Sequence, residues 1–253
     1  MFDFFFKKKK IVLDCFTHKH YVHNFAKINY ASKFYPYWWE KTIKSNDNNN
    51  VIPTIKFCDG LISFYNTGIV IPSWFSLVID ISDNIKKEYN WRSSNNDFSN
   101  IAHPYKQFEH FCLDNGFNFK IMSPWRFKTN RKINFVWSQP TWSIRNNLFN
   151  YCILPGVLNF KIQHSTHVNL FCQFDKEPKT IKIEPLDPLV ILHTLSDEEI
   201  IIKNHIVEEN EYMSICSIDG NMVFKSFSDL KGFIAYKKQR KNLYKKLEKL
   251  NGE

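Results

Sequence analysis

Apolar and polar residues alternate along several stretches of this chain, the period-two signature of strands with one buried face. Phe117, Phe119 and Ile121 alternate with Asn118 and Lys120, and Ile133, Phe135 and Trp137 alternate with Asn134 and Val136. Residues 10–17, 69–81 (interrupted at Pro72), 89–92, 180–184, 189–194 and 199–206 read as further strands, and 53–57 as one more. Residues 157–163 and 167–174 constrain each other most. With Gln163 opposite His167, an antiparallel hairpin sets Ile162 against Val168 and Phe160 against Leu170, whereas a one-residue slip would face apolar residues with polar ones. His164, Ser165 and Thr166 would form its tip.

The helical period is rarer. Residues 104–112 start with a first-turn proline and place Tyr105, Phe108, Phe111 and Cys112 on one face. Residues 21–27 form a short turn of helix or coil, 208–216 a helix, and 59–67 a helical turn closed by Gly68 in the left-handed conformation. Residues 231–250 carry Phe233, Ile234, Leu243, Tyr244, Leu247 and Leu250 at helical spacing. About ten strands with three or four short helices predict a mainly β protein. The expected architecture is an antiparallel two-layer sandwich of jelly-roll-like, double-stranded β-helix type. One β-rich domain over residues 1–229 and a basic helical tail over 230–253 follow from the same pattern.

Composition sharpens the core. Aromatics make up 17% of the 253 residues, with 24 Phe against four alanines, so rings and β-branched side chains must fill the interior. The net charge of +9 is not spread evenly. Residues 11–229 carry 22 basic and 22 acidic side chains, so the excess sits at Lys7–Lys10 and in the tail. Lys237, Lys238, Arg240 and Lys241 are therefore the candidates for contact with nucleic acid, and a solvated tail is the plainer reading. The six cysteines are widely spaced without a CxxC pair, which fits a reducing compartment. No segment holds the roughly 18 uninterrupted apolar residues of a membrane span, and the start has its apolar run before its basic run, unlike a secretory signal.

No GxGxxG, GxxxxGK[ST], GxSxG or HExxH pattern occurs, which argues against nucleotide-cradle, α/β-hydrolase and zincin chemistry. Three constellations remain. His18, His20 and His23 extend the first strand, where residues two apart share a side. His164 and His167, joined in space by His193, are candidate ligands for a divalent metal in a jelly-roll fold, although His164 and His167 fall on opposite strand faces. Of the seven tryptophans, Trp91, Trp125 and Trp142 lie near Arg92, Arg126 and Arg145 and are candidate stacking platforms for a ligand.

The order of several segments resembles a known family. These are Lys33 to Trp39 (Lys-Phe-Tyr-Pro-Tyr-Trp-Trp), Thr54 to Gly60, Thr67 to Pro72, Ser123-Pro124-Trp125, Pro155 to Asn159 and Glu184 to Pro188. Together they resemble a family of unassigned function from T4-like marine tailed bacteriophages, with distant bacterial members, over about residues 10–210. The resemblance implies a phage-encoded protein working in the infected cell or the virion, and transfers no catalytic residue. The expectation is an accessory or structural protein that binds a phage or host protein. The alternatives are a metal-dependent or small-ligand-binding enzyme of cupin-like type, and nucleic-acid binding through the tail.

Overall fold

The computed structural model describes residues 10–42, 54–95, 100–101, 115–140 and 151–224, with positions 238, 241, 242 and 245. Within them the chain is mainly β, arranged in four sheets. In the first, β1 (Lys10–Thr17) lies between β15 (Glu199–Ile206) and β8 (Arg126–Thr129). The second is ordered β10 (Tyr151–Ile153), β12 (Val168–Gln173), β7 (Gly116–Ile121), β6 (Asn100–Ile101). The third runs β11 (Gly156–Leu158), β9 (Phe135–Ser138), β14 (Pro188–Thr194), β3 (Ile69–Pro72), β2 (Asn29–Tyr30). The fourth is β13 (Lys179–Ile183), β4 (Leu77–Ile81), β5 (Tyr89–Ser93).

All pairings are antiparallel except one. β1 runs parallel to β15, with Ile11 beside Ile200 and Leu13 beside Ile202. An all-antiparallel sandwich does not contain such a pair. No tight turn joins these strands, because most of the chain separates them, so connection geometry does not impose direction.

One hydrophobic cluster draws on every sheet: Leu13 from β1, Phe119 and Leu170 from the second sheet, Leu192 from the third, Ile79 from the fourth. Alternation works as the pattern demands, with Leu77, Ile79 and Ile81 buried and Val78 and Asp80 turned toward solvent. β14 is apolar without alternation, and the reason is a second buried face. Leu192 and Val190 enter the main core, while Ile191 and its partner Val70 meet a separate cluster with Ala31 and Tyr65. That cluster holds the aromatic run, where Tyr35 stacks on Trp39 at 5.0 Å and tilts against Tyr65 at 4.8 Å.

The expected hairpin does not form. β11 pairs with β9, setting Leu158 against Phe135, and β12 pairs with β7 and β10, setting Val168 against Ile121 and Leu170 against Phe119. Residues 159–163 turn instead, because the Asn159 side chain accepts from Lys161 N at 3.1 Å while its carbonyl accepts from Ile162 and Gln163. Asparagine thus offers the backbone an alternative to the ladder. Phe160 is still buried, between Phe127 at 5.1 Å and Phe135 at 5.2 Å, but Ile162 is 38% exposed.

Helices α1 (His20–Phe25), α2 (Tyr37–Lys41), α3 (Asp59–Thr67) and α4 (Glu209–Phe224) decorate the sheets. α4 lays Tyr212 and Ile215 on Phe16 and Val207, and continues past the expected Cys216. Residues 55–57 are a 3₁₀ turn rather than a strand, opened by Thr54, whose hydroxyl accepts from Lys56 N. Gly68 ends α3 with φ −69° and ψ 148°, not in the left-handed region. Its need for glycine is one of space: a Cβ there would stand 2.8 Å from Ile191 Cδ1 and from the Phe64 carbonyl. The helix expected at 104–112 lies outside the described residues, as does most of the expected tail helix. Among the described residues no helix is long and apolar enough to cross a membrane.

Candidate functional site

The three candidate metal ligands are each engaged with backbone. His164, buried, donates from Nδ1 to the Phe127 carbonyl at 2.8 Å. His167 Nδ1 accepts from the Ser123 amide at 3.0 Å, and burial, followed by the charges of Arg126 and Lys120, pushes its pKa down to about 3. His193, on β14, donates from Nε2 to the Phe64 carbonyl at 2.9 Å, and burial lowers its pKa against the effect of that bond. His164 and His167 both precede β12, whereas His193 is tied to α3. Among the described residues no three His, Cys, Asp or Glu side chains gather in a ligating group. His20 and His23 are helical, on α1, so the strand parity expected of them with His18 does not apply. His18 packs on Tyr212 at 4.3 Å.

Trp125 is sealed in the core and presents no ring face to a ligand. A fully buried ring is what an interior this rich in aromatics asks of its largest side chain. Trp91, on edge strand β5, is 41% exposed and meets Phe119 edge-on at 6.0 Å. Its neighbour Arg92 pairs with Asp80, which also accepts from Thr180. Trp142, Lys237 and Arg240 lie outside the described residues, while Lys238 and Lys241 occupy helical positions with exposed side chains.

A concave polar surface lies elsewhere. A cleft of about 830 Å³ opens between the end of α3, the segment after β2 and the β14–β15 connection. Asn66 and Thr67 line it from α3, Tyr30 and Ser32 from the second wall, and Thr194 with residues 196–200 from the third. Local chemistry builds each wall. Gly68 lets the end of α3 lie against Ile191 and His193, and the His193 imidazole holds the Phe64 carbonyl at that end. Ala31 N donates to the Gly68 carbonyl at 2.7 Å, tying the second wall to the first. In the third, Ser196 Oγ accepts from Glu198 N at 3.2 Å, a serine turn that folds the strand connection back.

The electrostatics are one-sided. Asp197, Glu198 and Glu199 converge on the cleft, and the C-terminal end of α3 adds partial negative charge. Arg131 meets Glu198 at 2.6 Å and Lys10 meets Glu199 at 3.5 Å. Among the described residues Asp197 has no ion-pair partner. Tyr30 donates its hydroxyl to the Ile200 carbonyl at 2.6 Å, and burial, then the Glu199 charge, raises its pKa, so it stays protonated. The walls can therefore accept hydrogen bonds from ammonium and hydroxyl groups. The sequence marks residues 196–199 only as a polar turn between strands, and nothing in it links that turn to Tyr30 or Asn66.

Fold and cleft together define a mainly β protein with a polar, acid-rimmed pocket. The chain matches no protein-family model, and no curated protein or solved structure is detectably similar to it.

Proposed function

We propose that this chain acts by binding rather than by catalysis, with the cleft between α3 and the β14–β15 connection as its ligand site. The observation that carries this reading is a cleft of about 830 Å³ whose walls present carboxylates, amide and hydroxyl groups beside the negative end of a helix. That chemistry favours a small polar ligand bearing an amine. The family resemblance supports an accessory or structural role in a bacteriophage. A jelly-roll-like reading of the layers rests on the second and third sheets sharing one core.

Calorimetric titration with putrescine, spermidine and glucosamine tests the site. At least one amine binds, and Asp197→Asn weakens it by roughly tenfold, as for loss of one charge-assisted hydrogen bond. Binding also falls as salt rises. No heat with any of the three, or an affinity unchanged in the variant, would remove the proposal.

A further inference from the structure

A second, smaller pocket, of about 180 Å³, shares no residue with the cleft. One wall is the aromatic run from Phe34 to Tyr37 with Glu40, and the other is the turn from Leu186 to Pro188 that leads into β14. Pockets that enclose a whole small molecule run to roughly 300–1,000 Å³, so this one takes a side chain or a head group.

Both walls are fixed from behind. Tyr35 is held by its stack on Trp39 and its tilted contact with Tyr65. Ser73 clamps the turn from its backbone, accepting from the Leu186 amide at 2.9 Å and donating to the Asp187 carbonyl at 2.8 Å. The Asp187 carboxylate closes the same turn by accepting from Glu184 N at 2.8 Å. The clamp holds Leu186 at φ 68°, a left-handed conformation that glycine or asparagine adopts easily and leucine does not. This strained leucine is 41% exposed, and the Tyr37 beside the same pocket is 60% exposed. Neither core burial nor turn chemistry accounts for a leucine at that position, whereas a contact supplied from outside does.

The pocket is charged in one sense. Glu40 and Asp187 line it, and among the described residues no lysine, arginine or histidine does. Glu40 has no ion-pair partner among the described residues. The Tyr37 ring already carries a cation of this chain, with Lys41 Nζ 4.5 Å from its centroid, so its environment suits positive charge on an aromatic face. Carboxylates set among rings, prolines and a leucine match a cation borne on an apolar stem.

We propose that this pocket receives an arginine side chain from a partner polypeptide. A guanidinium is planar, stacks on aromatic rings and forks onto a carboxylate, and its weaker hydration makes a confined site less costly to enter than for an ammonium. Leu186 and Tyr37 offer apolar surface to the residues on either side of the arginine, which a free amino acid would leave uncovered.

The test titrates the full chain at matched ionic strength and reads the ring resonances of Tyr37 against those of Tyr30 in the cleft. Three capped probes are used: acetyl-arginine amide, the peptide Ser-Leu-Arg-Leu-Ser, and the same peptide with citrulline, which keeps the shape of arginine and lacks its charge. The arginine peptide shifts Tyr37 and leaves Tyr30 in place, the single residue does so only at higher concentration, and the citrulline peptide does neither. Glu40→Gln, an exposed change on α2, weakens the arginine peptide by roughly tenfold, as for one charge-assisted hydrogen bond. Leu186→Asn relieves the turn, so its melting temperature holds or rises while its affinity for the peptide falls. Shifts at Tyr30 instead of Tyr37, equal binding of the citrulline peptide or of the single residue, or an unchanged affinity in Glu40→Gln would overturn the proposal.

Discussion

Gly68 is the residue on which the cleft most depends. Its backbone is ordinary, with φ −69°, so the usual argument from left-handed turns does not apply. What excludes other residues is contact, since a Cβ would meet the Phe64 carbonyl and Ile191 Cδ1 at 2.8 Å and His193 Nε2 at 3.0 Å. A carbonyl on a helix end cannot give way without loosening the helix. Gly68→Ala therefore destabilises the protein by about 1–3 kcal/mol, the usual cost of overpacking, and weakens ligand binding in the cleft. Urea denaturation reads the first effect, and wild-type stability in the variant would contradict the account. The glycine was legible in the sequence as the end of a helix, but its reason was not, because Ile191 and His193 are more than a hundred positions away.

At the level of elements, alternation was a good guide to direction and a poor one to partnership. Leu170 and Val168 point inward as their parity requires, yet their partners are Phe119 and Ile121 on β7 and not the preceding strand. Each of those pairings satisfies the same rule of apolar opposite apolar, so pattern alone could not choose between them. Asn159 decided the matter locally by folding residues 159–163 into a turn. The turn then inserts Phe160 between Phe127 and Phe135. Phe160→Ala should cost about 3–5 kcal/mol, as for other fully enclosed rings, while Ile162→Ala, at a half-open site, should cost far less. Comparable losses in the two variants, measured by chemical denaturation, would restore the strand reading of this segment.

For the whole molecule, buried histidines tie stability to pH. His167 titrates at about 3 in the folded chain against about 6.5 when unfolded, so between these values the unfolded state holds the extra proton. Stability is then full above pH 6.5 and falls as pH drops toward 3, by up to about 1.4 kcal/mol per pH unit. His193, also lowered by burial, adds to the same slope. Denaturation at pH 7, 5.5 and 4.5 should show this decline, reduced but not abolished in His167→Gln. A flat profile in the wild type would refute the burial of both rings. Amino-acid order alone determined which residues are apolar, where strands and turns fall, and that rings fill the interior, because these depend on side-chain type and near neighbours. Tertiary structure alone decided that β1 runs beside β15, that Tyr30 and Asn66 face Asp197, and that Glu40 and Leu186 share a pocket. Such pairings compare alternatives of similar local energy, and only the shared core that closes around all four sheets makes one of them best.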